Sequence, residues 1–161
     1  MRIKGGHMKK AKHHLGMVDI TEKNKTKRTA LASATVSMSA GAFKLFVKKG
    51  SPKGNVLETA RVAGIMAAKN TPNFIPLCHP LELGKANVSF VKDSKKHSVV
   101  ILSEVAYEGK TGVEMEALSA VTVAALTIYD MMKWADKSIV IRDVKLLQKT
   151  GGKSGDYRAG F

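Results

Sequence analysis

Between residues 30 and 40, apolar and small polar side chains alternate with a period of two. Ala32, Ala34, Val36 and Met38 fall on one side, and Ser33, Thr35, Ser37 and Ser39 on the other. That is the pattern of a half-buried strand. A short helical turn over residues 42–47 leads into a loop at 48–54. Asn55 with Glu58 three residues on marks a helix start, so a helix is expected over residues 56–69. Its small residues Ala60, Ala63, Gly64, Ala67 and Ala68 allow a close neighbour, and Thr71-Pro72 ends it. Residues 73–83 form a loop holding Pro76 and Pro80. Strands are expected at 86–91 and 99–107, joined by a turn at 92–96. Thr111 and Glu114 have capping-box spacing ahead of a long helix at 113–135. A last strand at 139–147 precedes a glycine-rich tail over residues 150–161.

The major elements therefore run βαββαβ, the order of a ferredoxin-like α+β sandwich with an antiparallel sheet. Residues 17–161 form one domain, without internal repeats or a linker. The long helix is apolar nearly all round, through Leu118, Val121, Val123, Leu126, Ile128 and Met132. One sheet covers one face of a helix, so the remainder calls for burial against a second subunit. A homo-oligomer is expected.

Composition adds a partner class. Lys and Arg number 27 against 13 acids, a formal net charge of +14. Such a charge attracts polyanions: nucleic acid, an anionic membrane or a phosphorylated small molecule. Residues 1–14 carry five of the basic residues and no acid. Residues 1–16 are accordingly set apart as a basic extension, expected to be disordered. No apolar stretch follows that start, and the longest apolar run, residues 117–129, is shorter than the roughly 20 residues a membrane span needs. A soluble, cytoplasmic protein is expected. A single cysteine, Cys78, excludes an internal disulfide and a multi-cysteine zinc site.

Several residues carry candidate chemistry, each with a plainer alternative. Lys53 stands before a helix N-terminus, where a cation is unfavourable unless an anion joins it; otherwise it belongs to a solvated basic loop with Lys48 and Lys49. Leu77-Cys78-His79 sits between prolines that stiffen the loop, although a buried Cys beside a structural His fits as well. Glu114 and Glu116 suit the first turn of the long helix electrostatically, or serve a site. Asp130 and Lys133, three residues apart in the apolar stretch 128–134, are either a surface ion pair or an acid–base pair in partly dry surroundings. Glu116 and Asp130 lie on one stripe of the helix but about 21 Å apart along it. A small ligand touching both needs two chains. The basic tail with Lys149 and Lys153 is a mobile terminus or an arm that folds over a phosphate. Gly109-Lys110-Thr111 and Gly152-Lys153-Ser154 are not P-loops, because Glu104 and Leu147 occupy the required upstream glycine positions.

Long blocks in fixed order resemble the cyclic pyranopterin monophosphate synthase family, also called molybdenum cofactor biosynthesis protein C. They include Met17-Val18-Asp19-Ile20, Lys53-Gly54-Asn55-Val56, Ala60-Arg61-Val62-Ala63-Gly64-Ile65 and residues 75–81. They continue through residues 109–118, Ala124-Ala125-Leu126-Thr127-Ile128-Tyr129-Asp130-Met131 and residues 151–156. The resemblance implies a ferredoxin-like fold and a hexamer built as a trimer of dimers, with sites at subunit interfaces. It implies conversion of a 3′,8-cyclo-dihydroguanosine triphosphate to cyclic pyranopterin monophosphate and diphosphate. No cofactor or protein-bound metal is implied, although Mg2+ can accompany the triphosphate. By the same resemblance Asp130, Lys133 and Lys53 are catalytic. Leu77, Cys78, His79, Glu114, Met115 and Glu116 bind substrate, and Arg28, Lys149 and Lys153 hold its phosphates. The competing class is a basic nucleic-acid-binding α+β module. Such a sheet needs exposed aromatics on its strands, and only Phe90 and Tyr107 fall in the expected strands.

Overall fold

Thr26–Ser37 forms the first strand, β1, in the computed structural model, which describes residues 15–160. Ala32, Ala34, Val36 and Met38 are all buried on its inner side, as the alternation requires. The strand begins and ends earlier than its alternation suggests. At the start, Thr26–Thr29 pair with residues far along the chain, which short-range pattern does not reveal. At the end, Ser39 caps the next helix by accepting from the Ala42 N–H. That helix, α1, spans Ala40–Lys48 and buries Ala42, Phe43 and Phe46.

Helix α2 occupies Val56–Lys69, the expected span, and the Asn55 side chain accepts from the Glu58 N–H. A single 3-10 turn, Thr71–Asn73, follows. Gly64 is where α2 meets the long helix, because a Cβ there would lie 2.8 Å from the Ala120 carbonyl oxygen. Strands β2 (Lys85–Asp93) and β3 (Ser98–Gly109) form a hairpin. The long helix, α3, spans Glu114–Met132, and β4 covers Val140–Thr150. A two-residue strand, β5 (Tyr157–Arg158), pairs back on Gln148 and Lys149.

All pairings are antiparallel, in the order β2-β3-β1-β4-β5. The first four strands have the order of the ferredoxin-like fold. Helix α3 lies across β1, β3 and β4, with α2 against α3 and β2. By length and composition α3 could cross a membrane, but more than half of that stretch is buried inside the fold. Ile128 and Met132 are fully enclosed there, as befits a core helix. The outer side of the helical layer is apolar and uncovered in the single chain. Val62, Met66 and Leu126 are each more than half exposed.

Two expectations are corrected. The capping box does not form: the residue at the N-cap of α3 is Val113, and Thr111 makes no cap bond. Glu114 is drawn instead to a cation on β4. The tail also does not trail away after β4. Gly151 adopts φ 79°, Asp156 accepts the Gly151 N–H at 3.2 Å, and the chain turns back into β5. The expectation of a disordered extension over residues 1–16 falls almost wholly outside the described residues.

Candidate functional site

The two ends of α3 carry two separate clusters. At the C-terminal end, Asp130 occupies the last turn and Lys133 the C-cap. Lys53 reaches them from the tight turn Ser51–Gly54, in which Gly54 takes φ 116°. Asp130 Oδ2 lies 2.6 Å from Lys53 Nζ, and its Oδ1 lies 2.8 Å from Lys133 Nζ. The Lys133 ammonium, then that of Lys53, hold the Asp130 carboxyl down to about 2. Asp130 in turn pushes Lys133 above the ordinary lysine range.

The surroundings are wetter than the apolar stretch 128–134 suggests. All three side chains are about half exposed, because the last turn of α3 emerges from the core. At neutral pH the trio is a carboxylate flanked by two ammonium groups with a net positive charge. An incoming phosphate matches it directly. Proton transfer by Asp130 or Lys133 requires a ligand to break the pairing first.

The N-terminal end of α3 borders a cleft with two chemically different halves. One half, about 440 Å³, is walled by Leu77, Cys78, His79, Met115 and Glu116 together with Val18 and Ile20. The His79 Nε2 atom stands 3.0 Å from the Val18 carbonyl oxygen. A carbonyl only accepts, so Nε2 is the donor in this contact. Glu116 is 3% exposed, and burial, then the nearby Glu114 charge, raises its pKa. Burial, followed by Glu116, likewise pushes the Cys78 thiol upward. Cys78 and His79 share a wall, but no hydrogen bond joins them among the described residues.

The second half, about 160 Å³, adjoins the first through Lys23, Thr111, Gly112 and Glu114. Arg28, Lys149 and Lys153 line it, as the sequence suggests, together with Lys23 and Lys110, which the sequence reading passes over. Lys149 Nζ lies 2.9 Å from Glu114 Oε1. Arg28 is buried, and its Nε donates to the Gly109 carbonyl at 3.3 Å. Lys110 donates to the Thr21 carbonyl. Five cations face one carboxylate here, a balance suited to a polyphosphate.

Every candidate residue thus falls into one of two groups. Asp130, Lys133 and Lys53 form one. Leu77, Cys78, His79, Glu114, Met115, Glu116, Arg28, Lys149 and Lys153 form the other. One chain does not bring the groups together, since the helix between Glu116 and Asp130 is about 21 Å long. Among the described residues, no group of three or more His, Cys, Asp or Glu side chains could hold a metal ion.

The sequence pattern of the MoaC family matches residues 17–152, which includes every candidate residue of the two clusters except Lys153. A relative from Parvibaculum lavamentivorans is 51% identical over 143 residues, covering 89% of each chain. One from Corynebacterium glutamicum strain R is 54% identical over 141 residues, covering 88% of this chain and 89% of its own. Another from Listeria monocytogenes serovar 1/2a is 54% identical over 143 residues, covering 89% of both. All three bear the name cyclic pyranopterin monophosphate synthase. With the family pattern spanning both ends of α3 and about half of the aligned positions shared, the chain belongs to the MoaC family.

Proposed function

We propose that this protein is a lyase of molybdenum cofactor biosynthesis. It converts (8S)-3′,8-cyclo-7,8-dihydroguanosine 5′-triphosphate to cyclic pyranopterin monophosphate and releases diphosphate. The observation that carries the reading is the two-part cleft. A weakly polar chamber of heterocycle size opens directly into a channel lined by lysine and arginine. The name shared by the relatives supplies the reaction.

In this reading Leu77, Met115 and Cys78 contact the heterocycle. Glu114 and Glu116 hold its polar edge, and His79 orients it or relays a proton. Arg28, Lys149 and Lys153, aided by Lys23 and Lys110, neutralise the triphosphate. A sugar hydroxyl attacks the innermost phosphorus, the bond to the next bridging oxygen breaks, and diphosphate leaves with its charge stabilised by these cations. Asp130 and Lys133 carry protons once substrate separates them, with Lys53 as the second cation of that cluster. No resident cofactor takes part, and any Mg2+ enters with the triphosphate.

The clusters meet only if neighbouring protomers place opposite ends of α3 side by side. The uncovered apolar side of the helical layer supports such an assembly, a hexamer built as a trimer of dimers with sites at the interfaces. The protein works in the cytoplasm. A nucleic-acid-binding role is not favoured. Phe90 lies beneath Arg61, 5.4 Å from ring centre to guanidinium, and Tyr107 packs against the core, so neither offers a free stacking face.

The test supplies the cyclised triphosphate to the assembled protein and follows diphosphate and pyranopterin by mass spectrometry. Stoichiometric release of both products is expected. Intact substrate after prolonged incubation with folded oligomer would overturn the reading.

A further inference from the structure

Phe46, Val47, Val56 and Leu57 form the apolar part of a cavity of about 450 Å³ that shares no lining residue with either half of the cleft. It lies where the C-terminal end of α1 and the first turn of α2 meet the end of β2. The Ser51–Gly54 turn closes one side. Lys53, in the same turn, does not line it; its ammonium is engaged with Asp130.

Two cations enter this space from different elements, Lys49 at the C-cap of α1 and Lys92 on β2. No acid lines the cavity, and neither lysine is in an ion pair among the described residues. The acids next to it in sequence are committed elsewhere. Glu58 pairs with Arg61 at 3.3 Å, and Asp93 accepts the Lys95 and Lys96 N–H groups at 3.0 Å each. The dipole of α1 favours a cation at its C-terminal end, which accounts for Lys49. It does not account for Lys92, whose strand brings a second like charge to the same concavity. A hollow lined by charge of one sign concentrates counter-ions of the other.

The walls narrow the choice of anion. Phe46 and Val56 are buried, but Val47 is 48% exposed, so apolar surface remains uncovered beside the two ammonium groups. The volume falls in the range of small-molecule sites, roughly 300–1,000 Å³. Two ammonium groups match a dianion better than a singly charged carboxylate, and the uncovered apolar wall matches a ring or alkyl body.

We propose that this cavity is a second binding site, separate from the catalytic cleft, for a phosphate monoester with an apolar or aromatic body. Lys49 and Lys92 hold the phosphate, and Val47 and Leu57 pack against the body. The inference does not draw on the proposed reaction.

The test is calorimetric titration of the assembled protein with phenyl phosphate at low ionic strength. Saturable binding is expected in the wild type. Lys49→Gln/Lys92→Gln loses one site per chain, whereas Lys149→Gln/Lys153→Gln, altered in the cleft, keeps it. Lys49→Arg/Lys92→Arg restores binding, which assigns the loss to charge rather than to folding. Inorganic phosphate, without the ring, and benzoate, without the second charge, each bind this site about tenfold more weakly, or about 1.4 kcal/mol. No saturable binding to the wild type, binding unaltered in Lys49→Gln/Lys92→Gln, or its loss in Lys149→Gln/Lys153→Gln would each overturn the proposal. Equal affinity for inorganic phosphate or benzoate would overturn the ligand class.

Discussion

Lys53 Nζ and Asp130 Oδ2, 77 residues apart in sequence, lie 2.6 Å from one another. The contact joins the turn before α2 to the last turn of α3, and it offsets the charge that would otherwise oppose the α2 dipole. Exposed ion pairs of this kind are screened by solvent, so the pairing alone is weak support for the fold. Its consequence is chemical: Asp130 holds two ammonium groups at one point.

Asp130→Asn should therefore separate activity from stability. Turnover is expected to fall at least about 100-fold, as when a charge-organising group is lost from an active site. The thermal midpoint should move little, because both pairs are half exposed. Kinetics and thermal melts on the same preparation check this. Since the Asp130 carboxyl is depressed to about 2, its share of stability is present above the ordinary value of 3.8 and is lost as pH falls towards 2. An acid limb in the activity profile above pH 5 thus belongs to another group.

Asp136 provides the complementary case, with structure and no chemistry. One carboxylate oxygen accepts the Ser39 N–H at 2.7 Å, and the other accepts the Ser138 N–H at 2.7 Å and its hydroxyl at 2.6 Å. The Ser138 hydroxyl, then the Ser39 amide, hold this carboxyl well below the usual range. Asp136→Asn should lower the thermal midpoint at pH 7 while leaving the Michaelis constant unchanged. The stability difference from wild type should shrink as pH drops below 3.8, since a depressed carboxyl loses its contribution when protonated. Thermal melts across acidic pH test the sign.

Gly151→Ala and Gly155→Ala form a matched pair. Both glycines adopt positive φ, 79° and 82°. A Cβ on Gly151 would lie 2.0 Å from the Lys27 carbonyl oxygen, whereas nothing lies within 4 Å at Gly155. Gly155→Ala should cost about 1 kcal/mol from backbone strain alone. Gly151→Ala should cost more, about 2–4 kcal/mol, and weaken triphosphate binding because the Lys149–Lys153 turn shifts. Denaturant unfolding gives the first difference, and the Michaelis constant the second.

How much of this was legible in the sequence varied with the range of the interactions. Helix α2 matched its expected span at both ends because its signals are local: the Asn55 cap and the Thr71-Pro72 stop. Helix α3 ended at Met132 rather than residue 135. There the Ala135 and Asp136 N–H groups turn in on the Met132 carbonyl, and the Asp136 side chain leaves to cap Ser39. The Thr111 capping box failed for a similar reason, since Glu114 found Lys149 across 35 residues. Asp130 and Lys133 were legible as an i, i+3 pair, but Lys53 joined them only through the resemblance. Lys23 and Lys110 carry no local signal beyond their charge. They belong to the cleft because the chain before β1 and the end of β3 come together.

Subunit mixing decides whether one catalytic site draws on opposite ends of α3 from two chains. Inactive Glu116→Ala protein is combined with inactive Lys133→Ala protein under conditions where exchange is demonstrated. Random pairing leaves one intact site in each mixed dimer, so activity should return to about a quarter of the wild-type level. If each site lay within a single chain, no mixture would contain an intact one. Continued inactivity after proven exchange would rule out a site shared between two chains.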